Sequence, residues 1–288
     1  MIFSLIVDGL AVGSIYALVA VGLVMLVKST GALNFAHGDF MMISTFVAYT
    51  LLVQFELPFW VALVGALAFA AVLGMVAERL VIRKLMKGPM SGIIMGTLGM
   101  AYILQGMAKI IWTDDIFKFP EFFPGDYIKI GSASISPQSI GVIISALIII
   151  TSLYLFLNFT KVGTGLRALT QNKTAATLMG ISVTKIYSIS WALGGLLASF
   201  AGILLAPALY LSTGMGGITF TGIIAAIIGG FGNMFGAIIG GYLLGILSSV
   251  IPVYIPTELQ GIIPFVVLML VLFIKPTGIL GKKMIKKV

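Results

Sequence analysis

This chain has no cysteine and a single histidine among its 288 residues. The first absence excludes disulfides, thiol catalysis and cysteine-bound metal. Charge is scarce as well: Asp, Glu, Lys and Arg together make 9% of the chain, against roughly 25% in soluble proteins. No polar stretch is long enough to build a separate soluble core. There is no Gly-x-x-x-x-Gly-Lys-Ser/Thr phosphate loop, so if energy comes from ATP, another subunit binds it. No paired carboxylates, no His/Glu metal spacing and no serine with a plausible base occur, so no catalytic and no metal-binding residue is assigned. A membrane enzyme is therefore disfavoured. Acids inside the apolar runs are few, with Asp8 and Glu78 near run ends, which argues against an ion-coupled carrier working alone.

What is present is hydrocarbon. Hydrophobic residues make 60% of the chain, and the mean hydropathy is +1.17. These values specify an all-α, polytopic integral membrane protein. The net charge of +8 does not imply nucleic acid, because the basic residues sit beside apolar runs, where they orient a membrane protein. A crossing helix needs about 20 apolar residues. By that measure the runs are 2–27, 40–54, 58–82, 91–112, 137–156, 186–211, 218–230, 237–251 and 259–274. The first has neither a charged leader nor a cleavage site and reads as a retained span. Arg83, Lys84 and Lys87, the lysines between 161 and 185, and the lysine tail should be cytoplasmic, the C-terminus included. The acidic, aromatic loop 113–138 should be external, and its stretch 128–136 alternates as a small hairpin would. Parity then predicts about nine crossings in one domain covering 1–288. The short runs 40–54 and 218–230 are the doubtful ones, and eight crossings with one re-entrant run is the rival count.

Three local features carry the candidate function. Residues 166–181 read as one short amphipathic helix between two spans, with Ala168, Leu169, Ala175, Ala176 and Met179 on one face and Gly180 as its stop. The polar break 28–39 holds Asn34, His37, Gly38 and Asp39. Asn34 and Asp39 are candidate caps for a helix starting near Gly38, and His37 is either a structural group or part of a pathway. Glycine is abundant, 35 residues, and small residues recur four apart at Gly9/Gly13, Gly92/Gly96, Ala198/Gly202, Gly236/Gly240 and Gly241/Gly245, which suits tight helix packing. Gly230 and Gly232 break the run before the Gly236 segment.

Taken together, Gly13-Ser-Ile-Tyr-Ala-Leu through Leu33-Asn-Phe-Ala-His-Gly-Asp39, and Thr164-Gly-Leu-Arg-Ala through Leu178-Met-Gly-Ile181, resemble the permease subunits of branched-chain amino-acid ABC importers. Gly96-Thr-Leu-Gly, Gly229 through Ala237, and Lys275-Pro-Thr-Gly-Ile-Leu-Gly281 extend the resemblance along nearly the whole chain. Lys275 stands where the family often has arginine. The resemblance implies a permease in a prokaryotic cytoplasmic (inner) membrane, carrying leucine, isoleucine, valine or related apolar amino acids. The same family also includes importers of urea and short amides. The implied partners are a second homologous permease, two cytoplasmic ATPases that hydrolyse the ATP, and an external substrate-binding protein. Membrane lipid surrounds the complex, and no cofactor is bound by this chain itself. Residues 166–181 would be the coupling helix, with Arg167, Ala168, Asn172, Ala175, Ala176, Met179 and Gly180 as its ATPase-facing positions. Asn34, His37, Gly38, Asp39, Gly230 and Gly232 would be pathway residues or structural breaks.

Overall fold

Backbone amides in hydrocarbon must be paired within their own segment. The computed structural model, which describes residues 2–130 and 133–281, accordingly forms helices from every long apolar run. In chain order they are α1 (Ile2–Thr30), α2 (His37–Tyr49), α3 (Phe59–Ala77), α4 (Arg83–Leu85), α5 (Met90–Trp112), α6 (Pro137–Phe159), α7 (Lys161–Gln171), α8 (Lys173–Leu178), α9 (Val183–Leu209), α10 (Ile218–Gly229), α11 (Met234–Val250) and α12 (Ile263–Ile274). A π turn, Thr50–Gln54, extends α2, and another, Glu78–Ile82, joins α3 to α4 in one continuous helix. The predicted hairpin is present: β1 (Ile128–Ile130) pairs antiparallel with β2 (Ala133–Ile135), Ile128 opposite Ile135.

Among the described residues, seven helices are long and apolar enough to cross a membrane: α1, α3 with α4, α5, α6, α9, and α11 and α12 with their short 3-10 extensions. The protein is therefore a polytopic all-α membrane protein. The two runs that fall short are those marked doubtful by length. Run 40–54 becomes the 13-residue α2 and its π turn, and run 218–230 becomes a shorter apolar segment, Thr213–Gly229.

The chain divides into two units. One comprises Met25–Pro120 and Leu147–Thr219. Its core is α2, buried along almost its whole length, packed with α3 and α9. A helix apolar on all sides suits such a position. On α3 the small residues Ala62, Ala66, Ala70, Gly74 and Ala77 are the buried ones, and they let α9 approach to backbone contact. A Cβ on Gly74 would lie 2.2 Å from the Trp191 carbonyl oxygen, and one on Gly195 would lie 2.2 Å from that of Ala70. Gly202 seats in the same way against Met41 and Thr45 of α2. Trp191, fully buried, meets Phe40 edge-on with centroids 6.4 Å apart.

The other unit comprises Met1–Val24, Glu121–Ala146 and Phe220–Val288. Here the four-residue glycine spacings interlock. Gly9 and Gly13 of α1 sit flush against Ile246 and Tyr242 of α11, while Gly241 and Gly245 of α11 sit against Ala17 and Gly13 of α1. Gly240 meets Ala225 of α10, and Gly236 meets Gly229. These repeats are packing seams, each a place where a side chain would hold two backbones apart. The Gly92/Gly96 pair of α5, in the first unit, is half used: Gly96 receives Leu85, and nothing lies within 4 Å of a Cβ on Gly92.

Candidate functional site

The polar break at the start of α2 is buried. Asn34, His37 and Asp39 are all at most 2% exposed. The helix begins at His37, close to the expected start, but neither expected residue caps it: the N-cap is Ala36, without a side-chain bond. Asn34 instead closes a local turn by accepting the Ala36 N–H at 3.1 Å. The free N–H of Gly38 is received by Thr219 Oγ1 at 2.6 Å, from the first turn of α10. That hydroxyl donates in turn to the Gly216 carbonyl at 2.9 Å. Gly38 and Gly216 make this junction possible, since a Cβ on Gly38 would lie 2.2 Å from Gly216 O and one on Gly216 would lie 2.2 Å from Asp39 Oδ1. Asp39 Oδ1 accepts the Gln105 amide of α5 at 2.8 Å, so its carboxylate meets a neutral donor rather than a cation. Both ring nitrogens of His37 and the Asn34 amide nitrogen have no hydrogen-bond partner among the described residues. Nothing in the sequence marks Gln105 or the Gly-rich stretch 214–217 as part of this junction. Their role comes from contacts far apart in the chain.

Beyond the other end of α2, the acidic loop folds down. Trp112 donates to Thr50 Oγ1 at 2.7 Å and stacks on Phe46 with centroids 5.1 Å apart. Phe117 packs on Phe46 and Tyr49 and exchanges backbone hydrogen bonds with Leu211 at 2.8 and 2.9 Å. Phe119 is buried. The aromatic residues expected at a membrane interface are thus partly a packed plug. Asp114 accepts from Lys109 at 2.8 Å and from the Thr213 hydroxyl. The Lys109 contact first, then Thr213, holds its carboxyl below the usual value. Thr113 and Tyr210, non-glycine residues with φ of 66° and 60°, lie just before the two partners of this Phe117–Leu211 bridge.

The segment predicted as one helix over 166–181 is two. Asn172, in extended conformation, ends α7 and starts α8, and its Oδ1 accepts the Ala175 N–H at 3.0 Å. A helix needs its first amide groups satisfied, and an asparagine in this position does so while turning the chain. Thr160 caps α7 in the same way, accepting from Gly163 N at 3.2 Å. Gly180, with φ of 81°, ends α8 as expected: Ile181 N–H bonds to Ala176 O at 3.1 Å and Gly180 N–H to Thr177 O at 3.0 Å. This doubly bonded exit is a Schellman closure.

The elbow so formed divides its residues. Leu166, Leu169 and Ala176 are buried in the chain's own structure, Ala168 is half-buried, and Ala175 and Gly180 are exposed. Leu178 and Met179 are each 83% exposed. Leu178 is not among the sequence candidates, because a single continuous helix would place it off the marked face. Arg167 points back to the end of α6. Its guanidinium bonds to the Leu157 carbonyl, to Asn158 O at 3.4 Å and to Thr164 Oγ1 at 3.2 Å. A cation there satisfies carbonyls that the ended helix leaves open.

Gly230 and Gly232 lie in a turn that the chain's own tail covers. Their φ values, 109° and 89°, are open to glycine at no cost. A Cβ on Gly230 would lie 2.4 Å from Gly281 N. Ile279 and Leu280 donate backbone bonds to Ile228 O at 2.8 Å and Gly229 O at 2.9 Å, and Asn233 Nδ2 donates to Leu280 O at 3.1 Å. The two motifs 229–237 and 275–281 therefore clasp each other. Among the described residues no cluster of His, Asp and Glu could hold a metal ion.

Comparison with known proteins bears on this arrangement. The family model described as branched-chain amino acid transport system / permease component matches residues 5–272. The high-affinity branched-chain amino acid transport system permease protein LivH of Escherichia coli K12 is 29% identical over 98% of this chain and 96% of its own. The corresponding protein BraD of Pseudomonas aeruginosa is 30% identical over 98% of this chain and 97% of its own. Among solved structures, PsaBC from Streptococcus pneumoniae in complex with Fab superposes with a TM-score of 0.51 at 14% identity, covering 94% of this chain and 91% of that one, a likeness of fold.

Proposed function

The chain belongs to the family of branched-chain amino acid transport permeases, and from that premise we propose that it is the membrane subunit of an ATP-driven importer of leucine, isoleucine, valine or related apolar amino acids. It sits in a prokaryotic cytoplasmic membrane with its C-terminus inside. Two ATPases, a second permease and an external binding protein complete the system. The observation that carries this reading is the elbow. An exposed Leu178–Met179 tip stands on helices that bury Leu166, Leu169 and Ala176 and begin at the side-chain caps Thr160 and Asn172. Such a braced apolar tip in a basic segment suits a protein groove. On this ATP-driven reading a partner binds the ATP, since the sequence has no phosphate loop of its own.

On this reading Ala175, Leu178, Met179 and Gly180 face the ATPase. Arg167, Asn172 and Ala176 hold the elbow's shape, and Ala168 lies at the edge. Gly230 and Gly232 are structural. The test is reconstitution. Liposomes carrying the two permeases and two ATPases, supplied with the binding protein and leucine, should take up leucine only with ATP inside the ATPase compartment. Gradient-driven leucine uptake by the purified chain alone, without ATP, would overturn the subunit reading in favour of a stand-alone carrier.

A further inference from the structure

A buried carboxylate joins two helices just above the elbow. Glu78 has no exposed side-chain surface. Arg83 grips it with both arms of its fork: Nε donates to Oε1 at 2.9 Å and Nη2 to Oε2 at 2.6 Å. Ser188 of α9 closes the triangle, donating its hydroxyl to Glu78 Oε2 at 2.7 Å and accepting from Arg83 Nη2 at 2.9 Å. The π turn makes this possible. In an α-helix, residues five apart point about 140° from each other. Through Glu78–Ile82 the backbone bond runs from Arg83 N–H to Glu78 O, which brings the two side chains onto one face.

The triad is the last rung of the α3–α9 seam. Ala70 meets Gly195, Gly74 meets Trp191, and Glu78 meets Ser188 in antiparallel order. Ser188 lies near the start of α9, the helix that leaves the elbow. The elbow is in turn fastened to α9. Lys173 Nζ lies 5.5 Å from the centre of the Tyr187 ring. A Cβ on Gly165 would lie 2.9 Å from Ile186 Cδ1. The other two rungs are close contacts of a glycine with the facing backbone. The third holds a buried carboxylate between a partly exposed guanidinium and the Ser188 hydroxyl, and parting it would leave that carboxylate unpaired.

We propose that the Glu78–Arg83–Ser188 triad is a latch that makes the elbow, α9 and α3 move as one body, and so sets how much transport each ATP hydrolysed yields. This rests on the ATP-driven reading above. The three are positioning residues, acting through the helices they join.

Two measurements on the full chain decide it. In the first, the reconstituted complex is assayed for ATP hydrolysed per leucine taken up, with Ser188→Ala, Ser188→Thr and Glu78→Gln. The latch predicts a ratio at least about fivefold higher in Ser188→Ala and Glu78→Gln, with ATPases still bound, and a return toward the native ratio in Ser188→Thr, which keeps the hydroxyl. A merely structural triad would lower uptake and hydrolysis together, and an unchanged ratio overturns the proposal. Should Glu78→Gln fail to assemble, Ser188→Ala, which removes one hydroxyl, still decides. The second measurement needs no ATPase. Because the chain has no native cysteine, Thr174→Cys and Lys84→Cys can carry spin labels cleanly. Their distance distribution should be narrow in the otherwise native chain and clearly broader in Ser188→Ala. Equal widths overturn the latch even if the importer reading stands. Failure of any ATPase to bind, with the widths differing as stated, overturns the importer reading and the coupling role while leaving the mechanical link.

Discussion

Replacing Gly195 by alanine sets two effects against each other. In an open helix position alanine is favoured over glycine by about 1 kcal/mol. At Gly195, however, the new Cβ would lie 2.2 Å from the Ala70 carbonyl oxygen, which is backbone and cannot rotate away. Reaching ordinary contact distance requires α3 and α9 to part by more than about 1 Å. Overpacking of that kind costs about 1–3 kcal/mol, more when backbone must move. The loss should therefore exceed the gain, and Gly195→Ala should destabilise the unit by about 1–2 kcal/mol net. Gly74→Ala meets the Trp191 carbonyl oxygen at the same 2.2 Å and should behave alike. Because one parting of the helices relieves both clashes, the double variant should cost less than the sum. Gly99→Ala is the control, since nothing lies within 4 Å of its Cβ, and it should be neutral or stabilising. The assay is thermal unfolding of the purified chain in one detergent, followed by a fluorescence probe. Equal midpoints for Gly195→Ala and Gly99→Ala would show that the α3–α9 seam is looser than described and refute the reasoning.

Other outcomes follow from the same structure. Leu178→Asp and Met179→Asp should each weaken ATPase retention by roughly 10- to 100-fold, the worth of burying one large apolar side chain, while leaving membrane insertion intact; co-purification with the ATPases checks this. Asn172→Ala removes the cap between α7 and α8 and should destabilise the elbow by about 1 kcal/mol, read as faster amide exchange in residues 173–178. Asp114 has its carboxyl held below the ordinary value of 3.8, so its contacts with Lys109 and Thr213 contribute stability that is full above that value and is lost as pH falls through the lower, folded-state one. Amide exchange in 113–120 should accordingly rise on strong acidification, and Asp114→Asn should remove that pH dependence. His37→Gln should keep substantial transport, since the ring makes no hydrogen bond among the described residues that glutamine would forfeit; complete loss with normal assembly would make His37 functional.

The fold was largely legible because a membrane imposes a length rule that residue types obey directly. Even the two short runs declared themselves, since neither forms one of the seven helices long and apolar enough to cross a membrane. What escaped was long-range or register-dependent. The sequence sets Glu78 beside Arg79, yet the partner is Arg83, because a π turn shifts the register by one residue and no residue type marks such an insertion. Asn34 and Asp39 read as caps because caps are usually local; the residue that meets the Gly38 amide is Thr219, 181 positions away. Periodicity runs straight through Asn172, since a residue that caps in both directions leaves the apolar spacing intact. The motifs 229–237 and 275–281 are both visible as resemblances, and only the structure brings them together.

That clasp has a consequence for how the chain is made. A ribosome delivers residues in order, so the turn at Gly229 and Gly230 is complete while Ile279 and Leu280 are still unmade. Until they arrive, the Ile228 and Gly229 carbonyls lack the partners they finally have. Closure must wait for α11 and α12 to be synthesised and inserted. The clasp can therefore form only on a chain whose last helices have been delivered, and a product stalled after α10 leaves the Ile228 and Gly229 carbonyls without it.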